Sequence, residues 1–415
     1  MIDDSYCKNN INSLYKDKTI YLDHAATTSI HPNVIKAIIS ELSNIGNGSS
    51  LHTSGRKARR RIEEAREVLA NSIKCHPLDI IFTAGGTESN NLAIKGIYWA
   101  RRKVNPKRKR IITTVIEHHA IYDTVKWLSK YEEAQITWLP VDAKGRVTPE
   151  SLYLALNTGE GPNDVALITI MWANNEIGTI MSILEMSDIA KQFNIPIHSD
   201  AIQIIGQIPV NFISTGLTAM SIAAHKFGGP IGTGALILNH NISCMPLLHG
   251  GGQENDIRSG TLDIAGIIGM SIAADRAIKG LREFSIRMQL LRDHLISGIV
   301  FAIEDCYLNG PSSTERLPNN ANFTFLNCDG DSLLMLLDSQ GIECSTGAAC
   351  TSGMAQPSHV LTALKNNSIA NKSSLRFSLG YTNIISDIDA VLCTLPKVVE
   401  QSRKMSLANY KRTLL

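Results

Sequence analysis

The chain has 415 residues, 44% of them hydrophobic and 19% charged, with a formal net charge of +2. That length exceeds one small core and predicts two domains, and the near-neutral charge gives no global drive towards nucleic acid. No apolar run approaches the roughly 20 residues of a membrane helix, and the polar opening MIDDSYCKNNINSLYKDK lacks the apolar core of a secretory signal, so a cytoplasmic protein is expected.

In chain order, the basic stretch 56–61 (RKARRR) runs on as RRRIEEAREVLA, with acids three to four residues away, and reads as a solvated helix face. Short β-rich apolar runs then recur at 80–83, 111–116, 136–140, 165–171, 197–199, 220–223 and 235–238. Helix-patterned segments fall between them at 88–100, 120–130, 149–156 and 186–193. This alternation predicts an α/β architecture with a mostly parallel sheet covered on both faces. A second basic stretch, 101–110 (RRKVNPKRKR), contains a proline and reads as an exposed loop before the 111–116 strand. Charge runs are usually solvated, so docking of an acidic partner there is kept only as an alternative. From about residue 262 the texture changes: a long helical stretch at 264–303 leads into shorter elements. A large domain of 31–275 is expected, with a smaller one built from 1–30 and 276–415. The eight cysteines show no CxxC pair and no zinc-like spacing, so they are expected to be reduced and mostly buried, with no metal site.

The chemistry gathers at predicted strand exits. In 220–234, MSIAAHKFGGPIGTG, an apolar run delivers His225 and Lys226 into a Gly/Pro turn. A desolvated lysine there suits a Schiff base; the alternative is a surface lysine before a turn. In 80–93, IIFTAGGTESNNLA, Gly86 and Thr87 open a helix after a glycine turn, which makes an anion site for a single phosphate. Neither GxGxxG nor GxxxxGK[ST] is present. Asp200, at the end of a short apolar strand, needs a partner, either a pyridinium nitrogen or the N-terminus of the next helix. His118 could stack on a flat ring or carry protons, or be one of two loop histidines. Asn174, Asn175 and Glu176 form a polar cluster at another strand end. In open α/β sheets ligands collect outside the carboxyl ends of the strands, so these groups converge. A phosphate cradle, an acid, a flat-ring neighbour and a lysine together specify pyridoxal phosphate.

The ordered motifs YLDHAATT (21–28), GNGSSLHTSGR (46–56), FTAGGTESNN (82–91), EHHA (117–120), NNEIG (174–178), HSDAIQ (198–203), HGGGQENDIRSGT (249–261), STGAAC (345–350) and LRFSLG (375–380) span most of the chain. In them the chain resembles the cysteine desulfurases of the IscS/NifS type, in the class V aminotransferase family. The resemblance implies a fold-type I pyridoxal-phosphate enzyme: a large domain with a mainly parallel seven-stranded sheet, plus a smaller α+β domain. It implies that Lys226 bears pyridoxal 5′-phosphate, Asp200 pairs the ring nitrogen and His118 stacks on the ring. Gly86, Thr87, Gln203 and His225 would hold the phosphate, with Thr261 reaching it across a homodimer interface. Asn175 would sit at the ring hydroxyl, and Arg376 would clamp the substrate carboxylate. Cys350 would attack the sulfur of L-cysteine and carry it as a persulfide while L-alanine leaves, with His118 and Lys226 moving protons. A sulfur-acceptor or scaffold protein would take the sulfur, for iron–sulfur cluster assembly or nucleic-acid thiolation.

The chain departs from the family pattern at Ala223, where a serine is usual before His-Lys and would add a phosphate hydrogen bond. Asp256 stands where a small residue is common, Tyr381 where an arginine is, and Met181 where a glutamine is. The alternatives are another class V lyase, such as one acting on selenocysteine, and a catalytically quiet sulfur-assembly scaffold.

Overall fold

The computed structural model describes residues 19–347, 358–364 and 373–413. In chain order the elements are β1 (Ile20–Tyr21), α1 (Pro32–Leu42), α2 (Thr53–Ile73), β2 (Ile80–Thr83), α3 (Gly86–Val104), β3 (Arg110–Thr114), α4 (His119–Tyr131), β4 (Gln135–Leu139), α5 (Pro149–Leu156) and β5 (Val165–Thr169). There follow α6 (Ile183–Gln192), β6 (Ile197–Asp200), α7 (Phe212–Thr215), β7 (Ala219–Ala223), β8 (Gly234–Leu238), α8 (Ile264–Lys279), α9 (Leu281–Ala302) and β9 (Cys306–Leu308). Last come β10 (Asn320–Phe325), α10 (Gly330–Asp338), β11 (Ile342–Glu343), α11 (His359–Ala363), β12 (Ser374–Ser378) and α12 (Ile385–Thr413).

All seven strands expected of the large sheet form it, in the order β2-β8-β7-β6-β5-β3-β4. The pairs β3–β4, β3–β5, β5–β6 and β6–β7 are parallel; only β8 runs against its neighbours. Strands β5 (VALIT) and β7 (AMSIA) are buried at every position, as unbroken apolar runs require when helices cover both faces. Two predicted strands end early, β3 at Thr114 and β5 at Thr169, and the remaining apolar residues form the loops that reach the site.

The expected helix at 264–303 is two helices, broken at Gly280. Glycine is costly inside a helix, and the break falls where one core gives way to another. Ala273 and Ala274 of α8 pack in the core under the large sheet, whereas Met288, Leu291 and Leu295 of α9 join a second core. That second core also holds Ile20 and Leu22, Phe323 and Phe325 of β10, and Val391 and Leu395 of α12. Its strands form an antiparallel sheet in the order β12-β10-β9, with β1 paired in parallel to β11.

The basic stretches are corrected in part. Arg59 and Arg60 of α2 are exposed, but Arg66 is buried, and so is Arg110, which opens β3 rather than ending a loop. Arg110 pairs with Asp164 at 2.7 Å and donates to the carbonyls of Ala155, Thr158 and Gly161. It is a structural cation. The expectation of reduced cysteines fails at Cys393, which is disulfide-bonded to a cysteine outside the described residues. Cys75, Cys244, Cys306, Cys328 and Cys344 are free thiols. Cys350 lies outside the described residues. No helix among the described residues is long and apolar enough to cross a membrane.

Candidate active site

The site is built on the carboxyl ends of the parallel strands, with one wall from the 21–28 segment. β7 ends at Ala223 and a single 3-10 turn, Ala224–Lys226, carries His225 and Lys226 out of the sheet. Lys226 Nζ donates to the carbonyls of Ala25 at 2.6 Å and Ala26 at 2.7 Å. Gln203, three residues past β6, donates to the same Ala25 oxygen at 3.0 Å. Lys226 and Gln203 line a cavity of about 730 Å³ together with His24, Thr28 and Tyr381. Tyr381, where arginine was expected, lies under the Arg276 guanidinium, 5.6 Å from its ring centroid.

Asp200 closes β6, only 4% exposed. One carboxylate oxygen accepts the Ile202 N–H at 3.0 Å and the other accepts Asn90 Nδ2 at 2.8 Å. Asn90 was not singled out from the sequence. Its signal was there: on α3 it falls on the turn below Ala93 and Ile94, so a polar residue occupies the apolar face and needs a reason to be buried. His118 caps α4, its Nδ1 accepting the Ala120 N–H at 3.0 Å, which leaves the proton of a neutral ring on Nε2. Burial lowers the His118 pKa and the Lys226 charge lowers it further, while the carboxylate of Asp200 opposes them. Burial, helped by Lys226, likewise lowers His225 to about 4. Both rings are therefore neutral at pH 7.

α3 begins at Gly86 with Gly85 as its cap, and no side chain satisfies the first N–H groups. Gly85 has φ +148° with open space where a β-carbon would stand, and a β-carbon on Gly86 would come within 2.2 Å of Ile202 Cδ1. Gly85 therefore requires glycine by its backbone and Gly86 admits a side chain only if Ile202 moves, and together they leave a bare helix N-terminus suited to an anion. The Ala223 methyl abuts this turn, 3.4 Å from a β-carbon built on Gly86.

Arg376, on β12, is 4% exposed. Its Nη2 pairs with Asp23 Oδ1 at 2.6 Å and its Nη1 donates to the Asn175 carbonyl at 3.0 Å, while its Nε is buried without a partner. Thr261 does not join these groups within one chain. It is exposed and lines a separate cavity with Gly46, Arg59, Glu254 and Asp256. The loop holding that cavity is anchored by Glu254, which accepts two bonds from Arg66 and one from the Phe82 N–H.

The donor set fits pyridoxal phosphate: a lysine amine, a fixed carboxylate, a neutral imidazole and an uncapped helix N-terminus at one sheet edge. The orphaned Nε of Arg376 fits a carboxylate ligand.

Comparison with known proteins agrees with this arrangement. The family model "Aminotransferase class-V" matches residues 20–391. An IscS-like cysteine desulfurase of Mycobacterium tuberculosis is 56% identical over 388 residues, covering 94% of this chain and 98% of that protein. A solved NifS-like protein superposes with a TM-score of 0.84 at 32% identity, covering 92% of this chain and all of the other. SspA in complex with cysteine superposes with a TM-score of 0.75 at 29% identity, over 88% of this chain and 100% of its own. The chain belongs to the class V aminotransferase family and, within it, to the cysteine desulfurases of the IscS/NifS type.

Proposed function

We propose that this cysteine desulfurase binds pyridoxal 5′-phosphate on Lys226, takes L-cysteine through Arg376 and passes its sulfur to Cys350. The carrying observation is that Lys226, Asp200 and His118 stand at or just past the carboxyl ends of β7, β6 and β3, while Arg376 of β12 reaches the loop after β5 at the Asn175 carbonyl with its Nε left open. When bound, the cofactor supplies an electron sink for bonds at the substrate Cα and Cβ.

The chain's own groups do the rest. Gly86, Thr87, Gln203 and His225 would hold the phosphate, and the carboxylate of Asp200, aimed by Asn90, would pair the ring nitrogen. Asn175 would serve the ring hydroxyl. Lys226 gives up the carbonyls of Ala25 and Ala26 and moves a proton at the substrate Cα. His118, with its proton on Nε2, is the second proton carrier. Arg376 receives the substrate carboxylate on a planar fork, which fixes the direction of the Cβ–S bond. The Cys350 thiolate attacks the substrate sulfur. An S–S bond forms as the Cβ–S bond breaks, and the bonding pair stays on carbon and is protonated. The products are a Cys350 persulfide and L-alanine.

The same reading includes a cytoplasmic homodimer that hands its sulfur to an acceptor or scaffold protein for iron–sulfur assembly or nucleic-acid thiolation. Ile39, Leu42, Ile45 and Leu51, exposed near the 46–56 segment, support a second copy there, with Thr261 serving the partner's phosphate. The separate core of Ile20, Leu22 and the α9, β10 and α12 residues supports a large domain of 31–275 and a smaller one of 1–30 with 276–415, although Leu317, Val360, Leu361 and Leu364 pack in the large-domain core. Alanine release from L-cysteine by Cys350→Ala tests the scheme, with a loss of about 10²-fold or more expected. An undiminished rate would sink the persulfide route.

A further inference from the structure

Glu176 was read from the sequence only as part of a polar cluster, yet it is buried with its backbone and its carboxylate both bonded to distant segments. It is 4% exposed. Its N–H donates to Asn174 Oδ1 at 2.9 Å, and its carbonyl accepts Asn320 and Asn322 Nδ2 at 3.1 Å each. Its backbone is thereby fixed between the exit of β5 and strand β10 of the second core. Its carboxylate then reaches two places that are distant in sequence. The Ser358 hydroxyl donates to Oε2 at 2.5 Å, and a β-carbon built on Gly347 would lie 3.3 Å from that same oxygen.

Gly347 and Ser358 bound the segment 348–357, which contains Cys350. Each stem is held again behind the carboxylate. Upstream, Ser345 exchanges backbone bonds with Arg376, and Gly347 N–H donates to Ser345 Oγ at 3.0 Å. Downstream, Ser358 caps α11 by accepting the Leu361 N–H at 3.1 Å, and His359 Nε2 meets the Glu117 carbonyl at 2.9 Å. A carboxylate is expensive to bury, and a structural role here would be served as well by an apolar side chain.

We propose that Glu176 is a positioning residue for sulfur transfer: its carboxylate lies between both stems of the 348–357 segment, filling the side-chain space beside Gly347 and hydrogen-bonded to Ser358, and so sets where Cys350 meets the substrate. The proposal rests on Cys350 being the sulfur acceptor. Small errors in the placement of reacting atoms cost large factors in rate, so a clasp of this kind acts on the transfer step and not on substrate capture.

The test uses full-length holoenzyme mixed with L-cysteine, following the cofactor absorbance change and, by mass spectrometry, the persulfide on Cys350. In Glu176→Leu and in Ser358→Ala, persulfide should form about five-fold or more slowly, the scale of one lost hydrogen bond. The absorbance change and the KM for L-cysteine should keep wild-type values. Glu176→Gln keeps an acceptor for Ser358 and should stay within about two-fold of wild type, and the Leu/Ala double variant should be no slower than the slower single one. Wild-type persulfide rates in Ser358→Ala and Glu176→Leu, with Cys350→Ala inactive, would overturn the clasp alone. Loss of cofactor binding in step with persulfide formation would also overturn it, since that marks a structural role. Full alanine release by Cys350→Ala would remove its premise instead.

Discussion

Two buried arginines, Arg66 under the 251–256 loop and Arg376 at the sheet edge, separate what holds this molecule together from what it works with. Both meet a carboxylate far away in sequence. Arg66 spends its Nε on Glu63, its Nη1 on the Ile80 carbonyl and Glu254, and its Nη2 on Glu254 again. Arg376 pairs Nη2 with Asp23 and Nη1 with the Asn175 carbonyl, and leaves Nε unmet. Among the five arginines buried in the described residues (66, 110, 292, 316 and 376), Arg376 alone keeps a buried N–H without a partner. A buried donor without an acceptor is a standing cost, tolerated where a ligand supplies the acceptor. Saturation therefore marks the structural cation, and the open position at Arg376 fits the proposed carboxylate site.

That contrast breaks most readily at Glu254. Glu254→Ala leaves the Arg66 guanidinium buried without its counter-charge and should lower stability by about 4 kcal/mol, measured by urea unfolding, while the KM for L-cysteine stays put. A large KM change at full stability would reverse the assignment. Glu176 extends the comparison to a buried carboxyl whose direct partner is a serine hydroxyl. Burial raises its pKa from 4.5 to about 7, with the Ser358 bond and the Arg376 charge opposing. The folded state thus holds this proton more tightly than the unfolded chain. Its contribution to stability is full below about pH 4.5 and is lost as pH rises to about 7, a change on the order of 3 kcal/mol. Unfolding at pH 5 and pH 8 should show this loss in wild type and not in Glu176→Gln; identical pH slopes in the two would refute it. At the other arginine, Arg376→Ala should raise the KM for L-cysteine by about 10²-fold, and an unchanged KM would move the carboxylate site elsewhere. The smallest effect belongs to Ala223. Ala223→Ser should restore a donor beside the Gly86 turn and tighten pyridoxal-phosphate binding by about 1 kcal/mol, read from cofactor titration of the apoprotein.

The residues that the motifs single out and those that only folding reveals differ in kind. Lys226, Asp200 and His118 stand at strand exits, where a polar residue after an apolar run is visible in one dimension. Asn90 and Glu176 each make a single side-chain hydrogen bond, to Asp200 and to Ser358, and pair residues 110 and 182 positions apart. Arg66 misled for the same reason. Its neighbours Glu63 and Glu64 suggested a solvated face, while its true partner lies 188 residues away. Asp256 shows the converse. Its φ of +62° explains why a small residue is common there, since side chains other than glycine rarely adopt that region.

By itself the sequence determined the seven-stranded α/β sheet, the placing of Lys226 at a strand exit and the family, because hydrophobic period, glycine turns and motif order are local properties of the chain. Tertiary structure alone decided that α8 and α9 serve different cores, that Asn90 aims Asp200, that Asp23 meets Arg376, and that Glu176 joins the stems on either side of Cys350. Those outcomes depend on which buried polar groups find partners across the fold. Burial makes an unmet donor or acceptor costly wherever its partner lies in the chain, and no spacing rule encodes that demand.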